Sequence, residues 1–153
     1  MNGPFVDICD LALLQQLLEK LTPDTSPQWG RLSAQTMVEH LATATEYTNG
    51  QKTAELEVTA TEAAQRKKMV VRPETVIPQN IQGPLTGAAQ HQRCKDLPAA
   101  IEDFLHQVAL FHRYYEVPGR TAIHPSFGPL THEEWVMWHG KHFAHHFTQF
   151  GLL

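Results

Sequence analysis

Residues 131–151, THEEWVMWHGKHFAHHFTQFG, begin with a Thr-x-x-Glu capping box (Thr131 and Glu134) and end on Gly151. No proline interrupts them, so the spacing predicts a helix running to about Phe150. At about 100° per residue, Trp135, Trp138, His142, His146 and Gln149 share one face, with Phe150 near its edge. That face carries both tryptophans and is the one expected to be buried. His142 and His146, four apart, then sit one above the other and can point at a single ion.

Working outward, residues 97–116 put Ile101, Leu105, Val108 and Tyr115 on one side, start with Pro98 in the first turn and stop at Val117-Pro118-Gly119. In residues 7–21, Leu11, Leu14, Leu18 and Leu21 form one apolar stripe, closed by Thr22-Pro23. Pro23–Pro27 reads as a loop, and Ser33 as the N-cap of a helix reaching about Thr48, before Asn49-Gly50. Residues 56–71 are helical by their alanine and charged content. Residues 72–96, with Pro73, Pro78, Gly83, Pro84 and Gly87, read as a long irregular connection. Four substantial amphipathic helices, the less legible 56–71 segment and no strand alternation predict an all-α helical bundle in one domain, 1–153.

Composition narrows the function. The chain has 153 residues, 42% hydrophobic and 18% charged, which fits a single globular domain. Its net charge is -4 and its 12 Lys+Arg are scattered, so no basic footprint for nucleic acid exists. No apolar run approaches the ~20 residues of a membrane span. Met1-Asn2-Gly3-Pro4 lacks the start of a secretory signal, and Cys9 and Cys94 read as reduced thiols of a cytoplasmic protein.

The unusual feature is histidine. There are 10, and four fall within residues 139–146. Two imidazoles on a buried face need a partner, because an unpaired buried polar group costs about 1–3 kcal/mol. A divalent cation satisfies both; hydrogen bonds to side chains or water are the alternative. A third ligand is offered by His40, on the side of its helix shared with Met37, Ala44 and Tyr47. His112, on the face of Ile101, Leu105 and Val108, is the rival. His139 and His145, about 60° to either side of His142, suit pocket walls or outer partners of a metal. His91, His106, His124 and His132 read as surface residues.

Sharper motifs are absent. HEEWV (132–136) lacks the second histidine of a zinc protease. Asp103-x-x-His106 resembles half of a di-iron motif, with no second copy. No nucleophile elbow, P-loop or dinucleotide-binding glycine pattern occurs. Cys94, among basic neighbours, reads as an inert loop thiol.

The segments SAQTMVEH (33–40) and HFAHHFTQ (142–149) resemble the DinB/YfiT-like superfamily of metal-dependent proteins. HPSFGPLTHEEW (124–135) with HHFTQFG (145–151) is similar to its uncharacterised DUF1569 branch. The resemblance implies a four-helix bundle with an up-down-down-up course and a divalent metal, zinc or nickel, on His40, His142 and His146. His145 and Gln149 match recurring motif positions that are not ligands. Phe147 departs from the arginine common in relatives. The resemblance also implies similarity to thiol-dependent S-transferases using a low-molecular-weight thiol, and the possibility of a homodimer.

Two functions follow. One is an S-transferase or hydrolase acting on a small electrophilic molecule seated against Trp135, Trp138, Tyr47 and Gln149, with His145, His139 or Glu39 as proton acceptor. The other is a non-catalytic, stress-related metal- or ligand-binding bundle whose metal is structural. A fourth protein ligand such as His112 would favour the latter.

Overall fold

Asp10, Ser33, Thr59, Asp96 and Thr131 each end a loop and start a helix, their side-chain oxygens accepting an otherwise orphaned backbone N–H of the first turn. In the computed structural model, which describes residues 3–77 and 92–153, these helices are α1 (Leu11–Leu18), α2 (Ala34–Glu46), α3 (Ala60–Val70), α4 (Leu97–Tyr114) and α5 (His132–Gln149). Pro78, Gly83, Pro84, Gly87 and His91 lie outside the described residues.

The chain is mostly helical but carries one feature the sequence did not predict. Ala122–His124 (β1) and Gly128–Leu130 (β2) pair antiparallel, with Ala122 opposite Leu130 and His124 opposite Gly128. Strands of three residues are too short for alternation to register. Gly128 turns the chain at φ +75°, a conformation that favours glycine. The hairpin drops Leu130 and His124 into the core beneath α5, and the Ala122 carbonyl accepts the Trp135 Nε1–H at 3.1 Å.

Helix α2 is the central element: 11 of its 13 residues are buried. It packs most extensively on α4 and also meets α5, while α1 lies on α4. Leu14, Leu18, Met37, Leu41, Phe104, Val108, Phe111, Phe143 and Phe147 form the shared core. Each such side chain contributes about 1.5–3 kcal/mol by leaving water. Phe147 is wholly within it. A helix buried on nearly every side also buries its polar residues, and Glu39, His40, Thr43 and Glu46 of α2 must all be satisfied internally.

Helix ends differ from the sequence reading where capping chemistry intervenes. Asp10 starts α1 three residues inside the predicted boundary, and Asp7 instead accepts the Cys9 N–H at 2.9 Å. Thr59 delays α3 past Leu56, leaving Glu57 to bond the Pro125 carbonyl at 2.8 Å. Among the described residues no helix is long and apolar enough to cross a membrane. Both cysteines are free.

Candidate metal centre

Position 40, in the middle of α2, and positions 142 and 146, one turn apart on α5, project where these two helices face each other. His40 Nε2 lies 3.0 Å from His142 Nε2. Ring centroids are 4.9 Å apart for His40 and His146 and 5.0 Å for His142 and His146. One ligand nitrogen from each of the three lies within 4.8 Å of the others, and all three residues are buried. Imidazole nitrogens on one tetrahedral cation at about 2.0–2.1 Å stand about 3.4 Å apart, so modest side-chain shifts bring this set onto an ion.

The electrostatics suit ligation. Burial, then the neighbouring His145, pushes the His40 pKa down to about 4. Burial and the nearby His40 bring His146 to about 3, against the opposing hydrogen bond of Gln149. Burial and the surrounding histidines take His142 well below its ordinary value. All three imidazoles are therefore neutral at pH 7 and keep a lone pair for a cation. Without one, only a single proton fits between the facing Nε2 atoms of His40 and His142. His142 Nδ1 is also buried, with no hydrogen-bond partner among the described residues. A buried cluster of acceptors with too few protons is a donor set that a cation completes.

The other expected site residues divide. Trp138 is half-buried, its ring 4.7 Å from that of His142. His145 is half-buried beside His146 at 5.1 Å. Both border the cluster. Gln149 is not a free pocket wall: its Oε1 contacts His146 Nδ1 at 2.8 Å and its Nε2 donates to the Trp29 carbonyl at 2.8 Å. Trp135, expected to line the pocket, is only 1% exposed, a core side chain between the hairpin and α5. Tyr47 caps the C-terminus of α2 two turns beyond His40, with its ring under the Lys52 ammonium.

Of the proposed proton acceptors, Glu39 is occupied: Gln35 Nε2 donates to one oxygen at 3.1 Å and the Arg93 N–H to the other at 2.5 Å. His139 is fully buried, bonded through Nε2 to Thr48 Oγ1 at 2.9 Å and stacked on Trp135. Only His145 is both partly exposed and adjacent to the cluster. His112, the rival ligand, instead bonds the Ile8 carbonyl through Nε2 at 3.0 Å.

Of the histidines read as surface residues, one is buried and one only half-exposed. His124 is 3% exposed, stacked on Phe127, with its Nδ1 accepting the Ser126 N–H; it faces inward from β1, which the sequence did not predict. His132 is half-buried and stacked on Tyr115. His106 is exposed as expected, and His91 lies outside the described residues. Trp29 is the residue the sequence reading missed. Its ring meets His145 edge-on at 5.7 Å, and its backbone holds Gln149. A loop tryptophan carries no periodicity, so only its adjacency to Gly30 marked it.

Residues 8–151 match a family described as a protein of unknown function (DUF1569). The chain belongs to the DUF1569 family. The match spans both helices that carry the three histidines of this DUF1569 chain. No curated protein and no solved structure matches it.

Proposed function

We propose that this chain is a metal-dependent enzyme in which His40, His142 and His146 hold one divalent cation, zinc or nickel. It acts on a small electrophilic molecule as a thiol-dependent S-transferase or a hydrolase. The observation that carries the reading is the convergence of three neutral, buried imidazoles from two helices. Among the described residues no fourth His, Cys, Asp or Glu joins them. Three protein ligands leave a coordination position for water or substrate, as catalytic zinc sites do.

When bound, the cation would supply Lewis acidity, drawing the pKa of a ligating water toward about 7 or deprotonating a ligating thiol outright. The protein's own groups do the rest. Burial keeps the three imidazoles uncharged, so they add no competing positive charge. His145, half-exposed beside His146, accepts the proton released from the thiol or water. Trp138, against His142, and Trp29, against His145, exclude solvent and hold the apolar part of the substrate.

On this reading the chain is a cytoplasmic member of the DinB/YfiT-like superfamily. Its bundle is α1, α2, α4 and α5 in an up-down-down-up course, and α3 and the hairpin are additions. The enclosure of the three histidines favours one other reading, a structural metal in a non-catalytic bundle.

His40→Ala separates them. For the enzyme, zinc-loaded wild type transfers a thiol to a generic electrophile, such as a chloro-nitroarene, and the variant loses that activity while its melting temperature falls no further than that of chelated wild type. For the structural metal, the melting temperature falls as far as it does on chelation of the wild type, and no transfer is lost because none was present.

A further inference from the structure

Gln149 is buried between two fixed points, the Trp29 carbonyl and His146 Nδ1. A carbonyl oxygen only accepts hydrogen bonds, so the amide NH2 must face Trp29 and the amide oxygen must face the imidazole. A neutral imidazole nitrogen opposite an acceptor must carry the ring's proton. His146 is thereby held as the Nδ1–H tautomer, which leaves the Nε2 lone pair as its ligating position.

We propose that Gln149, clipped to the Gln28–Gly30 loop, is a positioning residue that fixes the tautomer and ring plane of His146 and so presets one ligand of the metal centre. The inference rests on the three-histidine reading and adds the device that orients it. The loop is fitted to this task at three places. The Gln28 N–H donates to the Gln149 carbonyl at 2.7 Å, so one loop grips both the main chain and the side chain of this residue. Gly30 has φ +81°, and a Cβ there would stand 2.8 Å from Gln149 Nε2. Trp29, between them, supplies the carbonyl that sets which way the amide points. Among the described residues His142 has no such acceptor at its Nδ1.

The test is a long-range proton–nitrogen correlation spectrum of the zinc-free, nitrogen-labelled protein above the ordinary histidine titration range, paired with zinc affinity by chelator competition. Wild type is expected to show His146 as Nδ1–H. Gln149→Leu is expected to give a tautomer mixture and a zinc affinity lower by about 10–100-fold. Gln149→Glu keeps the acceptor while losing the bond to Trp29, so it should retain the Nδ1–H tautomer and most of the affinity. This guards against a general folding defect. Gly30→Ala, which displaces the amide, should fall between Leu and wild type.

A wild-type His146 protonated on Nε2, or a Gln149→Leu variant with unchanged tautomer and affinity, would overturn the inference while leaving the metal reading intact. A tautomer that follows Gln149 in a protein that binds no zinc would support the orienting role and sink the metal reading instead.

Discussion

The Nε2 atoms of the buried imidazoles separate ligand from core: that of His142 faces another histidine, whereas that of His139 meets a threonine hydroxyl. His139 has no exposed surface and lies among Trp135, Phe111 and Phe143. Thr48 Oγ1 donates its one proton to the Thr45 carbonyl at 3.0 Å, so toward His139 it accepts, and His139 carries its proton on Nε2. Thr48→Val, nearly isosteric, strands that N–H and should cost about 1–3 kcal/mol, read as a lower urea midpoint at unchanged slope. Adding His139→Phe removes the stranded donor and should recover part of the loss. A Thr48→Val midpoint equal to wild type would mean that the bond contributes nothing. The same contrast explains what the sequence could and could not reveal. The four-residue spacing of His142 and His146 is a local pattern, and His40 follows from the apolar face of its own helix. His139 is held by Thr48, far along the chain, and His124 is buried by a hairpin of three-residue strands, neither of which any periodicity announces.

At the scale of elements, α3 is the one held most lightly. Only Ala63 and Val70 of its residues are buried, so polar contacts fasten it. Lys67 pairs with Glu134 at 3.0 Å and donates to the Pro129 carbonyl, but both side chains of that ion pair are partly exposed and add little. Lys141, 4% exposed on α5, reaches the Val70 carbonyl at 2.7 Å and also the Arg72 carbonyl, at the dipole-negative end of α3. Lys141→Met keeps the stem and removes these bonds. It should lower stability by about 1–2 kcal/mol and raise hydrogen exchange across residues 60–70 more than elsewhere. Uniform loss of protection would contradict a fastening role. This also explains why four helices were plainly legible in the sequence while α3 and its place were less so. Capping residues and leucine stripes are local, whereas α3 is held by a lysine some seventy residues away, and its own weak apolar stripe gave no face to assign.

For the whole molecule, buried neutral histidines tie stability to pH. His124 sits at about 4 and His139 at about 3, both lowered first by burial; unfolded, each returns to about 6.5. Between those values the unfolded chain binds more protons than the folded one, so stability rises with pH across the window and falls as pH is lowered from about 6.5 toward 4. Chelator-treated protein should therefore melt at a constant temperature above about pH 7 and at progressively lower temperatures below it. A melting temperature unchanged or rising on acidification from neutral would contradict the burial of these groups. Zinc that binds only the folded chain should raise the melting temperature, more so as its free concentration increases.

The most direct measurement is metal content by elemental mass spectrometry on untagged protein, wild type beside His40→Ala, His142→Ala, His146→Ala and His112→Ala. The account predicts about one zinc or nickel per chain, lost in the first three variants and kept in His112→Ala, whose side chain belongs to the Ile8 carbonyl. No metal above background after reconstitution, or metal retained in all three ligand variants, would contradict it.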